Sequence, residues 1–125
     1  MSRKDLIFGT YVAESLVETT VSGGEFGNGI DSLNTFNGKH IVLAGAVGTD
    51  IVLKLQESVD DSVYTDVAVT QMIGGVNSFT ILATGGDNTA IQIGGFDLQR
   101  YSRIAVVSGA GDISAVSEVC TDLSS

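Results

Sequence analysis

An all-β domain, built as a single antiparallel β-sandwich or jelly-roll-like fold of about eight short strands, is what this 125-residue sequence predicts. Three observations predict it. Apolar residues recur with period two or in short β-branched runs, the pattern of strands that bury one face or both. The breaks between these runs are rich in Gly, Asn and Asp, and 16 glycines stand in a chain without proline, so its turns are made by residues that tolerate left-handed backbone. Helical period is nearly absent. Tyr11 to Val17 is the only breaker-free stretch of helix-compatible length, and its β-branched content argues against a helix, which leaves it as strand or arm.

The elements follow in order. Residues 1–12 are expected to form an N-terminal arm and 13–125 the sandwich domain. Leu16 to Val21 alternates Val17, Thr19 and Val21 against Leu16, Glu18 and Thr20. His40 to Leu43 is a short apolar run ending at Ala44-Gly45. From Ile51 to Gln56, Ile51, Leu53 and Leu55 share one face and Lys54 and Gln56 the other, the signature of a half-buried strand. Tyr64 to Val69, Phe79 to Leu82, Ala90 to Ile93, Ser102 to Val107 and Ile113 to Val119 complete the set. Their spacing suits antiparallel pairing, not alternating strand and helix units.

Ser22 to Lys39 is too long for a hairpin turn. Loops of this length in compact domains are usually functional or disordered, yet this one holds Phe26, Ile30, Leu33 and Phe36. It reads either as a loop folded back on its own core or as one that contacts a partner through these side chains.

Charge narrows the function. Six basic against 15 acidic residues give a net charge of −9, which disfavours nucleic acid and anionic membrane surfaces, both of which are bound by clustered Lys and Arg. No apolar run reaches the roughly 20 residues of a spanning helix. The start, Arg3-Lys4-Asp5-Leu6-Ile7-Phe8, is too short in its apolar part for a signal peptide, and the single cysteine, Cys120, forms no internal disulfide. Synthesis in a reducing cytoplasm is expected.

Raw material for catalysis is scarce. His40 is the only histidine and no G-x-S-x-G turn exists to present a serine to it, so a structural or surface role is expected for it. Cys120 reads as a free thiol. One histidine and one cysteine do not make a usual zinc set. The acidic run Glu57-Ser58-Val59-Asp60-Asp61, with Asp66 nearby, lacks the spacing of an EF-hand loop and reads as turn chemistry, with calcium the alternative. Gly23-Gly24-Glu25-Phe26-Gly27-Asn28-Gly29 has no following Lys-Ser or Lys-Thr, and Gly109-Ala110-Gly111-Asp112 leads into a strand, so both read as turns and not phosphate cradles. No enzyme, cofactor or metal is expected.

The segment from Ile51 through Leu53-Lys54-Leu55-Gln56-Glu57-Ser58 to Tyr64-Thr65-Asp66-Val67 resembles a hairpin of small structural proteins of tailed bacteriophages. Phe96-Asp97-Leu98-Gln99-Arg100-Tyr101-Ser102-Arg103-Ile104-Ala105-Val106-Val107 resembles the companion strand of those proteins. Asp60-Asp61-Ser62 stands where their pattern has Asp-Gly, which leaves the turn type open. The resemblance, over roughly residues 51–107, implies a head decoration or cement protein. Such a protein is made in the host bacterial cytoplasm and sits on the capsid exterior of the virion. Its expected partners are the major capsid protein and neighbouring copies of itself, as a trimer at a quasi-threefold site. Expected contact residues are Arg3, Lys4, Leu6, Ile7 and Phe8 of the arm and Phe26, Ile30, Leu33 and Phe36 of the long loop. The same scaffold serves equally in a tail or head–tail joint, or as a carbohydrate- or receptor-binding module.

Overall fold

A computed structural model describes residues 10–31 and 38–120. Among these, nine strands form two antiparallel sheets: β1 Thr10–Val21, β2 Ile30–Asp31, β3 Gly38–Val47, β4 Ile51–Ser58, β5 Thr65–Asp66, β6 Phe79–Ile81, β7 Ala90–Gly95, β8 Tyr101–Ser108 and β9 Gly111–Cys120. The first sheet runs β1-β9-β3-β7 and the second β2-β8-β4-β5, with β6 beside β5 along the same edge of β4. The expected sandwich is therefore the observed fold, and Tyr11 to Val17 lies within β1.

The inward positions of both sheets make one core. Val42, Ile93, Ile113 and Ala115 of the first sheet pack with Leu53, Leu55, Ile104 and Val106 of the second, all nearly inaccessible to water. Ile51, Leu53 and Leu55 are fully buried along β4 while Lys54 between them is half-buried, as period two requires. Burying a side chain of this size contributes roughly 1.5–3 kcal/mol, so these strands dominate stability.

Tyr64 to Val69 departs from expectation. Only Thr65 and Asp66 pair, against Glu57 and Gln56, and Val69–Gln71 is a 3-10 turn. The strand ends with Val67 N donating to Leu55 O (3.1 Å), because beyond that bond a side chain completes the β4 edge. Asn77 Oδ1 accepts from Leu55 N (2.8 Å), and its Nδ2 donates to the carbonyls of Leu55 and Val67 (both 2.9 Å). The freed segment crosses to the other sheet, where Ile73 N donates to Gly94 O (2.9 Å) and Phe96 N to Gln71 O (2.9 Å). That covers the β7 edge, an otherwise open template for pairing.

The opposite side is closed by the first half of the long loop. Gly24 N and Gly27 N donate to the carbonyls of Val106 and Ile104 on β8, and Asn28 N donates to Ser15 O on β1. The described part of the loop is folded on its own domain. Gly27 is required there, because a Cβ would collide with the Ser15 carbonyl oxygen.

Candidate functional site

His40 is the natural starting point for any acid–base chemistry, and β3 buries it completely. Its register partners Ser117 on β9 and Ile93 on β7 place it at an inward position, where its Nε2 lies 3.0 Å from Ser102 Oγ of the facing sheet. Nδ1 has no partner. Burial without a carboxylate contact pushes the imidazole down to about 4, so it is neutral at physiological pH. The serine–imidazole pair looks like half of a hydrolytic triad, but Ser102 is as inaccessible as His40 and no substrate carbonyl can approach it. The pair is structural.

The carboxylates of the acidic turn are already engaged, each in a different task. Glu57 is buried and accepts from Gln99 N (3.0 Å). Asp60 Oδ1 accepts from Ser58 Oγ (2.9 Å), Ser62 N (3.0 Å) and Val63 N (3.2 Å), which hold its carboxyl below the usual range. Asp61 accepts the Tyr64 hydroxyl, and Asp66 binds Gln56 and Lys54. Among the described residues no group of three or more potential ligands converges on a metal position. Asp61 also settles the turn: at φ 60° it takes the left-handed position that glycine holds in the Asp-Gly pattern.

A more organised surface lies on the outer face of the second sheet. Gln56 on β4 stands opposite Arg103 on β8, and Lys54 opposite Ala105. Phe26 bridges to Ala105 from the loop, which sets its ring on the same face. The Arg103 guanidinium lies over the rings of both Phe26 and Tyr64, 3.9 Å from each centroid, and its Nε donates to Gln56 Oε1 (2.9 Å). Gly29 lets the Asp60–Ser62 turn fold over this face, since a Cβ there would collide with the Asp61 carboxylate and the Tyr64 hydroxyl. Burial and the hydrogen bond to Asp61 raise the Tyr64 phenol far above its ordinary value, so it remains a neutral donor. Phe26 is 53% exposed, a large ring facing solvent beside a cation.

Of the contact residues expected from sequence, Phe26 is thus on an accessible face. Ile30 corrects the expectation: it is buried, opposite Ser102 in the β2–β8 pair, and offers a partner nothing. Arg3, Lys4, Leu6, Ile7, Phe8, Leu33 and Phe36 lie outside the described residues. The described chain adjoins them at Thr10, Asp31 and Gly38, and the registers Thr10↔Cys120, Gly38↔Gly95 and Asp31↔Tyr101 put these junctions at one end of the sandwich. Exposed Phe96, in the β7–β8 connection, belongs to the same end, as do Val59 and Val63 of the β4–β5 connection. Sequence reasoning missed Arg103, Gln56 and Tyr64; the period-two alternation of β4 and β8 was the signal that puts Gln56 and Arg103 outward, but only their register puts them together.

No protein-family model and no curated protein sequence matches the chain. Solved structures do. The SPBc2 prophage-derived protein YomS matches with a TM-score of 0.58 at 12% identity, over 90% of this chain and 93% of that one. The PBSX exported protein XepA matches with a TM-score of 0.57 at 13% identity, over 93% of this chain but 39% of that one. At these identities the likeness is one of fold.

Proposed function

We propose that this chain is a non-enzymatic structural protein of a tailed-phage virion that decorates or cements the capsid exterior by binding major capsid protein subunits. The observation that carries the reading is a fold shared over nearly the whole of both chains with a prophage-derived protein. The interior supports it, because the one histidine is sealed in the core and the carboxylates of the acidic turn are engaged in hydrogen bonds and ion pairs. Binding would use the outer face around Phe26 and the end of the sandwich where the chain adjoins residues 1–9 and 32–37, since exposed aromatic anchors carry most interface energy. Nucleic acid and membrane are not partners in this reading.

Quantitative mass spectrometry of density-purified particles from the source tests it. A copy number comparable to the main shell protein is the expected result. A number lower by an order of magnitude or more moves the protein to the tail or head–tail joint, and absence from particles, or presence only as a free exported protein, overturns the reading. Deleting Met1 to Phe8, or changing Phe26 and Phe36 to Ser, should reduce particle binding while leaving the melting temperature of the isolated protein nearly unchanged.

A further inference from the structure

We infer that Arg103 is a receptor for a carboxylate side chain of the protein partner, held open on the outer face of the second sheet; the inference rests on the virion-binding reading and names the chemistry of its contact. The guanidinium carries five N–H donors in one plane. Its central carbon lies over both the Phe26 and the Tyr64 ring, 3.9 Å from each centroid, and its Nε–H is spent on Gln56. What remains are the two Nη groups, which make no hydrogen bond or ion pair among the described residues. Such a pair takes a carboxylate through two parallel hydrogen bonds.

Scarcity does not explain the missing partner, since the chain has 15 acidic residues to 6 basic ones. The two other cations whose side chains are described are both neutralised on this side of the molecule. Lys54 Nζ lies 3.0 Å from Asp66, and Arg100 makes a two-pronged contact with Asp31 at 2.8 and 3.0 Å. Beside Arg103 the corresponding place is taken by a neutral amide. Gln56 is fixed in that orientation because its Nε2 donates to Asp66 Oδ1 (3.0 Å), so its oxygen faces the guanidinium. The arrangement holds the cation against two rings and leaves it without an ion pair among the described residues. A guanidinium already held in place loses less side-chain freedom when it takes an anion, and the exposed Phe26 ring beside it supplies apolar contact area for the same partner segment.

The test is rebinding of the full-length protein to particles from which it has been stripped, at several NaCl concentrations, for wild type, Arg103→Lys and Arg103→Gln. Melting temperatures are measured alongside. Expected losses in affinity are about tenfold for Arg103→Lys, which keeps the charge and loses the fork, and at least about thirtyfold for Arg103→Gln. A second measurement needs no variant: particles whose surface carboxylates have been converted to neutral amides with carbodiimide and methylamine should bind wild type as weakly as untreated particles bind Arg103→Gln. Wild type that binds while both variants bind equally well, or that binds amidated particles undiminished, overturns this inference alone. Wild type that fails to bind any particle overturns the virion reading with it. Polygalacturonate is the remaining probe, and Arg103-dependent binding to it without particle binding assigns the site to an acidic polysaccharide and overturns the protein partner.

Discussion

Lowering the pH from 8 to 4 should destabilise the fold through one identifiable group, His40. In the folded chain its imidazole is held at about 4 by burial, against an ordinary value of 6.5. The unfolded chain therefore takes up a proton first as pH falls, and the fold loses stability from about pH 6.5 downward until the folded-state value is passed. A displacement of about 2.5 pH units corresponds to about 3 kcal/mol in full and to about 2 kcal/mol at pH 5. Charging also makes both ring nitrogens donors, and Nδ1 has no acceptor among the described residues. The assay is denaturant unfolding at pH 8, 7, 6, 5 and 4 for wild type and His40→Gln, whose amide can keep the bond to Ser102. The difference between the two curves isolates His40, because the carboxylates of Glu25, Asp60 and Asp66, held below their usual values by hydrogen bonds, lose their contributions lower on the pH scale and in both proteins. Parallel curves from pH 8 to 5 would refute the reasoning. So would a proton NMR titration of the wild-type imidazole with a midpoint between 6 and 7, which stays informative even where His40→Gln does not fold.

Three further outcomes follow from the geometry, each read by urea unfolding. Asn77→Ala removes three hydrogen bonds to the backbone of Leu55 and Val67 and should cost about 2–4 kcal/mol; a change below 1 kcal/mol would mean that water replaces the side chain along the β4 edge. Gly27→Ala forces a methyl group against the Ser15 carbonyl and should destabilise by about 1–3 kcal/mol, with hydrogen exchange at Asn28 N accelerating first because its bond to Ser15 is the one displaced. Arg100→Gln breaks a solvent-exposed pair with Asp31 and should lower the urea midpoint only slightly, and by less still in 1 M salt.

The strands were legible because burial on a sheet imposes a period that depends on nothing but the strand itself. β4 shows both the reach and the boundary of that rule. Ile51, Leu53 and Leu55 point inward as the alternation says, but Gln56, on the face expected to meet water, is only 8% exposed because Arg103 and Asp66 close over it. Tyr64 to Val69 carries the alternation of a strand and makes its last bond to β4 from Val67 N to Leu55 O, since the edge beyond is completed by Asn77, a residue that no periodicity connects to Leu55. The long loop fails for a related reason. Phe26 and Ile30, four residues apart, should share a face on an extended chain, yet Phe26 faces outward opposite Ala105 and Ile30 inward opposite Ser102. Four residues of the loop are set against three of β8, and a slip of one residue turns the side chains to the other face.

Arg103 makes the same point for the functional surface. Within its own strand it is one polar residue in an alternating run, indistinguishable from any solvated arginine. Its chemistry comes from three other places in the chain: a ring from the loop at Phe26, a ring from beyond the acidic turn at Tyr64, and an amide from β4 at Gln56. Gly29 and the left-handed Asp61 belong to the same assembly, because together they let the turn fold over the face and bring Tyr64 against the guanidinium. Replacing Asp61 with a β-branched residue would therefore weaken the surface without touching it: the left-handed backbone would be strained, Tyr64 would lose its acceptor, and one face of Arg103 would be opened to water. A partner that reads a pre-arranged guanidinium should register that change as it registers Arg103→Lys, and one that reads only net charge should bind the variant better.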